Sequence, residues 1–264
     1  MKNRPVILKL GGSVVTKKDR DSTPNLQAIK RLAEEISQAG VSPLAVVHGG
    51  GSFGHPIAKA YGIAEGFRDT SQLIGFSKTH EAMVSLNKII VGSLLDQGLP
   101  AFGMAPSSFI VTKKGRIHLY EKKPIEQAIR IGLVPILYGD AVLDVDQVFA
   151  ILSGDQIAAY LAVRMDAERL IIGVDVDGLY DSDPKINASA RLIRRITLEE
   201  LQSLMYKISG TQVPDVTGGM FGKVSELTTP VANGIQTVIV NASKRGNIYK
   251  ALKGEEVIGT KIER

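Results

Sequence analysis

Short apolar runs of strand length alternate along this chain with longer segments in which apolar residues recur every three or four positions. This alternation is typical of a parallel β-sheet crossed by helices. Strands are predicted over residues 6–10, 44–47, 170–174 and 238–240, and helices over residues 25–39, 53–61, 71–95, 153–165 and 220–232. Ser153 is suited to cap the fourth helix, and we expect Pro230 to kink or shorten the last one.

The pattern changes between residues 100 and 148, where short β-like runs are separated by glycine and aspartate turns. The runs cover residues 109–112, 117–119, 134–138 and 141–143. They predict an antiparallel or mixed edge. Since no Pro/Ser-rich linker or repeat divides the chain, we predict two lobes that share one continuous sheet, with a boundary near residue 166.

The amino-acid composition is that of a globular protein, and it excludes several kinds of site. The chain has 264 residues, of which 44% are hydrophobic and 22% charged, an ordinary globular profile. It has no cysteine, which excludes disulfides, thiolate metal sites and a cysteine nucleophile. The first apolar run is broken early by Lys9, and no later run is long enough to span a membrane. We therefore expect a cytoplasmic protein that does not bind membranes.

The charge balance favours small anionic partners. Lysine and arginine number 32 against 27 acidic residues, which gives a net charge of +5. The basic residues form only short clusters, at residues 17–20 and 113–116, and there is no tryptophan to stack on bases. We therefore expect phosphorylated small molecules as ligands and no nucleic acid.

Two glycine loops follow predicted strands. The first glycine loop, residues 11–13, closes a strand in which Lys9 requires an anion, unless this is an edge strand whose lysine reaches water. The second glycine loop, residues 48–54, leads into a helix, where free backbone N–H groups can hold an oxyanion. It satisfies the G-x-G-x-x-G spacing, but no acid ends the next strand, which disfavours a dinucleotide site.

The third glycine loop, residues 217–223, departs from the phosphate-binding Walker pattern, because Thr217 and Val224 stand where glycine and a hydroxyl residue are required. Lys223 lies in the first turn of a predicted helix, where the helix dipole disfavours a cation unless a phosphate is bound. A solvated surface lysine is the alternative.

Acidic residues lie at two further positions suited to ligand binding. Asp155 is predicted in the first turn of a helix, where an acid is also favoured for structural reasons alone. Asp175 and Asp177 follow the strand at residues 170–174, and ligands of open α/β sheets bind beyond such strand ends. Ordinary turn chemistry accounts equally well for this acidic segment.

In this order, the motifs resemble the amino acid kinase superfamily over essentially the whole chain. They are KLGGS at residues 9–13, the second glycine loop, SGD at 153–155, DVDGLYDSDP at 175–184 and GGMFGK at 218–223. VHGGGSFGH at 47–55, with DVTGGMFGK at 215–223, is similar to the isopentenyl phosphate kinases within that superfamily. The specific part is His55, which ends the glycine-rich segment and is shared with fosfomycin kinases.

The resemblance implies an open αβα sandwich with a mainly parallel central sheet. Residues 1–165 would form an N-terminal lobe that binds the phosphoryl acceptor and makes a homodimer contact, and residues 166–264 a C-terminal lobe that binds ATP. The implied reaction is Mg²⁺-assisted transfer from ATP to isopentenyl phosphate, giving isopentenyl diphosphate in the alternative mevalonate route of isoprenoid biosynthesis. No side chains are expected to ligate a metal.

The resemblance also implies roles for single residues. Lys9 and Lys223 would neutralise the transferring phosphate, Asp155 would orient both lysines, and Lys18, with Lys17 as an adjacent competitor, would be a further catalytic lysine. The implied nucleotide contacts are Lys9, Gly11, Gly12, Ser13, Gly51, Asp175, Gly178, Gly219 and Lys223. The implied acceptor contacts are Gly50, His55 and Gly154 at the phosphate, with Phe76, Met83 and Ile151 around the hydrocarbon tail.

Several alternatives stay open. His55 also suits a helix-turn cap, and the Phe76–Met83 spacing is typical of plain core. A kinase for fosfomycin or another small phosphate or phosphonate is the second hypothesis, and a non-catalytic nucleotide-binding regulator is the third. Val174 and Asp181 replace threonines of close relatives, which leaves the adenine contacts open.

Overall fold

The computed structural model of the chain describes residues 4–18, 20–182, 184, 187, 189–209 and 220–264. Its strands are β1 (Val6–Leu10), β2 (Leu44–His48), β3 (Ala101–Gly103), β4 (Ile110–Lys113), β5 (Arg116–Tyr120), β6 (Val134–Tyr138), β7 (Asp140–Asp144), β8 (Val148–Leu152), β9 (Arg169–Val174), β10 (Leu179–Tyr180), β11 (Leu192–Ile193), β12 (Arg195–Thr197), β13 (Gln236–Asn241) and β14 (Gly259–Glu263). Its helices are α1 (Gly12–Val15), α2 (Leu26–Ala39), α3 (Gly51–Ala60), α4 (Gln72–Asp96), α5 (Lys123–Arg130), α6 (Gly154–Arg164), α7 (Leu198–Ser209), α8 (Met220–Ala232) and α9 (Asn247–Lys253).

Eight strands form the central sheet in the order β12-β14-β13-β9-β1-β2-β6-β3. The neighbours from β13 to β3 are all parallel, and only β14, which is antiparallel to β13, and its parallel neighbour β12 run the other way. The predicted α/β class with a mainly parallel sheet is confirmed. Strand β1 lies in the middle, with Lys9 opposite Val47 of β2 and Ile172 of β9.

Helices cover both faces of this sheet, as an open αβα sandwich requires. Residues of α2, α4 and α9 pack against one face, and residues of α5 to α8 against the other. Side chains alternate between the two faces along a strand. Leu8 and Leu10 of β1 therefore pack on the α2 side, while Ile7 packs on the α6 side. The same alternation places Lys9 on the side of α6 and α8.

A second sheet, in the order β5-β4-β7-β8, is mixed, with antiparallel outer pairs and a parallel central pair. The mixed pairing predicted between residues 100 and 148 is confirmed, with two corrections. These strands form a sheet of their own and not an edge of the central sheet. The run at residues 134–138 is not part of this second sheet, because β6 pairs with β2 inside the central sheet. All five residues of β6 are buried, which suits an inner parallel strand covered on both faces.

The predicted helices are present, with ends shifted by at most two residues. Asn25 accepts a hydrogen bond from the Ala28 N–H at 3.3 Å, and Ser153 accepts one from the Gln156 N–H at 3.1 Å, so both cap helices. Helix α8 covers the whole predicted range with Pro230 inside it, so Pro230 does not shorten the helix; Gly234, with a φ of +75°, follows its end. No helix within the described ranges has the length and apolar character needed to cross a membrane.

Candidate active site

A cleft of about 730 Å³ lies at the carboxyl ends of β1, β2 and β9 and extends toward α7 and α8. Ligands of open α/β proteins bind at this edge of the sheet. The cleft brings together most of the residues singled out from the sequence. Those that line it are Lys9, Gly12, Ser13, Lys18, Gly50, Gly51, His55, Met83, Ile151, Gly154, Asp155, Asp175, Gly178 and Lys223.

Three of the singled-out residues are not among those lining residues. The N–H of Gly11, the first residue of the first glycine loop, donates to the Gly173 carbonyl at 2.7 Å and closes β1 against β9. Phe76 packs behind the cleft wall on Phe149, with ring centroids 5.3 Å apart. Gly219 lies outside the described residues.

Lys9 is the most deeply buried lysine of the site. Its side chain is 2% exposed, and its Nζ lies 2.6 Å from Oδ1 of Asp155, in the first turn of α6. Burial lowers the pKa of Lys9, the nearby charge of Lys223 lowers it further, and Asp155 opposes both. Because β1 is a central strand, the alternative of an edge strand with a solvated lysine is wrong.

Lys223 and His55 complete a group of basic side chains around the cleft. Lys223 lies in the first turn of α8, and His55 lies in α3, just after the second glycine loop. His55 stays accessible from the cleft, yet partial burial and the charges of Lys223 and Lys9 lower its pKa. The charges of Lys9 and Lys223 repel each other. Like charges that converge on an open cleft in this way indicate an anion-binding site.

The first and second glycine loops touch backbone to backbone. A Cβ on Gly12 would lie 2.3 Å from the Gly51 nitrogen, and Gly51 itself has a φ of +49°. Only glycine is compatible with such an approach. Thr16, which the sequence analysis did not single out, joins the loops, because its hydroxyl donates to the Gly12 carbonyl at 2.8 Å and accepts from the Ser52 N–H at 3.0 Å.

Two of the longer helices begin at the cleft, α3 at Gly51 and α6 at Gly154. Their first N–H groups have no partner within the helix, and the helix dipole favours negative charge at this end. Together with the glycine backbones and the ammonium groups, they form a site suited to more than one phosphate group.

Lys18, rather than Lys17, reaches the site. Its Nζ lies 2.5 Å from Oδ2 of Asp175, whose other oxygen accepts from the Ser13 hydroxyl at 3.0 Å. Burial raises the pKa of Asp175, but these two hydrogen bonds outweigh it and lower the pKa overall. Lys17 is exposed and is not a lining residue.

The end of the cleft beyond Asp175 is apolar, and sequence reasoning pointed only to the part of it that residues 174–184 form. Its lining residues are Val174, Val176, Leu179, Tyr180, Pro184, Leu204 and Met205. Leu204 and Met205 lie on α7, which was not predicted although its apolar residues have helical spacing. Asp181 does not line the cleft, since its carboxylate accepts from the Arg191 N–H at 2.9 Å.

The opposite end of the cleft lies between α3, α4 and β8. Met83 packs there so closely that a Cβ on Gly50 would lie 2.8 Å from its sulfur. Ile151 and Ala58 add apolar surface. Asp140, another lining residue missed from the sequence, is buried and accepts a hydrogen bond from His80 Nδ1 at 2.9 Å. Burial raises the pKa of Asp140, although the bond from His80 opposes this.

His48 lies just under the second glycine loop, at the end of β2. Its ring is fully buried and stacks on Tyr138 with centroids 5.5 Å apart. Burial lowers the pKa of His48 from 6.5 to about 4. The ring is therefore neutral at physiological pH.

This lowered pKa predicts a loss of stability in acid. Between pH 6.5 and 4 the unfolded chain binds a proton at His48 that the folded chain does not, so the free energy of unfolding falls as the pH falls. The expected loss from this residue is about 3 kcal/mol. Urea unfolding of the wild type and His48→Asn across this range measures it. The variant should lose less stability, and parallel curves would contradict the prediction.

Within the described part of the chain, no three His, Asp or Glu side chains are grouped so as to hold a metal ion.

Comparison with known proteins matches the chain to the amino acid kinase family over residues 4–241. The isopentenyl phosphate kinase of Methanothermobacter thermautotrophicus is 43% identical over 97% of this chain and 98% of its own length. That of Methanocaldococcus jannaschii is 35% identical over 97% and 98%. A solved isopentenyl phosphate kinase structure covers 98% of this chain and 100% of its own, with a TM-score of 0.86 and 39% identity.

Proposed function

The chain belongs to the amino acid kinase family, among its isopentenyl phosphate kinases, and we propose on this basis that it transfers the γ-phosphoryl group of ATP to isopentenyl phosphate. The products are ADP and isopentenyl diphosphate. One observation carries the proposal: the ion pair of buried Lys9 with Asp155 lines the same cleft as the touching first and second glycine loops, Lys223 and His55.

The chemistry needs no general base. A phosphate monoester has a second pKa of about 6, so at neutral pH the acceptor is already largely a dianion. One of its oxygens attacks the γ-phosphorus, and the bond from that phosphorus to the β–γ bridging oxygen breaks. The site has to hold two anions that repel each other, which explains the basic side chains and the backbone N–H groups.

We assign the two phosphate positions as the family resemblance implies, to residues that line the cleft. Gly12, Ser13 and Gly51 contact the ATP phosphates, while Gly50, Gly154 and His55 contact the acceptor phosphate. Lys9 and Lys223 neutralise the transferring group, and Asp155 keeps Lys9 in place through their 2.6 Å ion pair. Lys18 exchanges Asp175 for a phosphate oxygen when the nucleotide binds.

The two ends of the cleft differ in what they hold. The apolar end near Leu204 and Met205 takes the adenine base, and the end near Met83 and Ile151 takes the hydrocarbon tail. The acceptor therefore binds mainly to residues 1–165 and the nucleotide mainly to residues 166–264.

Mg²⁺, bound to the nucleotide phosphates, supplies additional charge neutralisation. A cytoplasmic homodimer is part of the proposal, and light scattering measures the dimer.

A panel of acceptors tests the proposed function. Purified protein with Mg-ATP is given isopentenyl phosphate, acetylglutamate, glutamate, UMP or fosfomycin, and ADP release is measured in a coupled assay. We expect the highest kcat/KM with isopentenyl phosphate and a new diphosphate signal in phosphorus NMR. Preference for an amino acid or UMP would overturn the proposal. A preference for fosfomycin would favour a kinase for fosfomycin or another small phosphate or phosphonate. ATP binding without turnover would favour a non-catalytic nucleotide-binding regulator.

His55→Ala should impair the acceptor side selectively. The loss of one hydrogen bond to a charged group is worth about 1.5–3 kcal/mol, which lowers kcat/KM for the acceptor by about ten- to a hundredfold. The KM for ATP should change little. His55→Gln, which restores a neutral N–H donor, should recover part of the loss.

His118→Ala is the matched control, since His118 is exposed on β5 and is not a lining residue of the cleft. It should leave both KM values unchanged. Equal losses of ATP and acceptor affinity in His55→Ala would remove His55 from the acceptor site.

A further inference from the structure

His48 does not line the cleft, yet both nitrogens of its buried ring have polar neighbours. Nδ1 lies 3.1 Å from the carbonyl oxygen of Gly49, the next residue in the chain. Nε2 lies 3.2 Å from the side-chain oxygen, Oδ1, of Asn87 on α4. None of the phosphate chemistry described above uses this ring, so the role of its contacts is open.

The position of the ring proton follows from these neighbours. A neutral imidazole carries one N–H, and a carbonyl oxygen can only accept a hydrogen bond. A proton on Nε2 would leave the lone pair of Nδ1 facing the Gly49 oxygen at 3.1 Å, which is repulsive. A proton on Nδ1 turns this contact into a hydrogen bond, and Nε2 then accepts from the Asn87 amide, which presents its nitrogen after a half turn at no steric cost.

This hydrogen bond fixes the orientation of the peptide between Gly49 and Gly50. In a planar trans peptide, the C=O of one residue and the N–H of the next point in opposite directions. His48 draws the Gly49 carbonyl toward the protein interior, so the Gly50 N–H points the other way. Both glycines line the cleft, and that N–H therefore faces it. A peptide between two glycines has unusual rotational freedom and needs such a restraint.

We propose that His48 is a positioning residue, whose Nδ1–H holds the Gly49 carbonyl and thereby aims the Gly50 N–H at the phosphate of the acceptor. The inference rests on the proposed function, because that function supplies the phosphate. In this role the His48 side chain would influence the reaction without touching either substrate.

Two substitutions separate this role from simple packing. The side-chain nitrogen of His48→Asn can take the position of Nδ1, whereas that of His48→Gln lies near Nε2 and cannot reach the Gly49 oxygen. We expect His48→Asn to retain most of kcat/KM for the acceptor and His48→Gln to lose about tenfold or more. Packing alone predicts the reverse order, because glutamine fills the fully buried position better.

The Gly50 amide itself provides a second measurement. In ¹H–¹⁵N NMR of the wild type, isopentenyl phosphate without ATP should shift the Gly50 N–H resonance downfield. The shift should persist in His48→Asn and disappear in His48→Gln. If neither variant folds, the wild-type titration alone decides, and a Gly50 resonance that does not respond to the acceptor overturns the proposal.

The two proposals fail in different ways. If the wild type does not phosphorylate isopentenyl phosphate, the proposed function is wrong, and a titration with inorganic phosphate still tests whether Gly50 donates to an anion. If the wild type is active but His48→Asn and His48→Gln lose the same kcat/KM, only the positioning role is wrong.

Discussion

Methionine at Lys9 or at Lys223 lowers kcat by about 10²–10³, the usual effect of removing one preorganised charged donor. Each ammonium meets charge that develops mainly in the transition state, so the KM for ATP should change far less than kcat. Methionine is unbranched and of similar length, which lets it fill the buried space of Lys9, whose side chain is only 2% exposed. Steady-state kinetics with both substrates varied measures the effect.

Lys17→Met is the control for both substitutions, because Lys17 is exposed and is not a lining residue. It should keep the wild-type kcat. Circular dichroism and urea unfolding show whether Lys9→Met still folds once its ion pair with Asp155 is lost. A folded Lys9→Met or Lys223→Met variant with wild-type kcat would contradict the assigned role of that lysine.

Alanine at Gly12 lowers kcat/KM for ATP by about 10² or more. The new Cβ would lie 2.3 Å from the Gly51 nitrogen, and its other close neighbours, Cα of Gly51 and the carbonyl carbon of Gly49, are also backbone atoms that cannot swing away as a side chain can. The two glycine loops must therefore separate, and a displacement of about 1 Å at a reaction centre typically costs 10² in rate. The coupled assay at varied ATP concentration measures the change.

Gly92→Ala is the matched control, since a Cβ on Gly92 in α4 has no atom within 4 Å. It should retain full activity and gain about 0.4–1 kcal/mol of stability from a less flexible unfolded chain. If Gly12→Ala keeps the wild-type KM for ATP, the contact between the loops does not shape the nucleotide site.

The sequence pattern correctly predicted the strand that carries Lys9 and the start of the helix that carries Asp155. The apolar run around Lys9 indicated a strand buried on both faces, and Ser153 indicated the start of α6 with Asp155 in its first turn. That Asp155 orients Lys9 was implied only by the resemblance to the amino acid kinases. The structure adds the 2.6 Å contact between them.

Contacts between distant segments could not be derived in this way. The run at residues 134–138 has the composition of a strand, but its partner β2 is chosen by tertiary packing. Nothing in the sequence around Thr16 indicates that its hydroxyl accepts a hydrogen bond from the distant Ser52 N–H. Phe76 has the helical spacing expected of a residue that lines the pocket, but it packs on Phe149 instead. The periodicity of apolar residues shows which face of a helix is apolar, but it does not show which part of the protein packs against that face.

The central place of β1 has a consequence for the chain as it leaves the ribosome. Its partner β2 follows soon after, but β9 is made roughly 160 residues later, which at about 5–20 residues per second takes about 10–30 s. During this time β1 has an open edge beside apolar residues, and open edges pair with other chains. Lys9 lacks Asp155 for nearly as long, and an unpaired ammonium in the middle of that edge opposes such pairing. We therefore expect the charge of Lys9 also to oppose aggregation of the nascent chain.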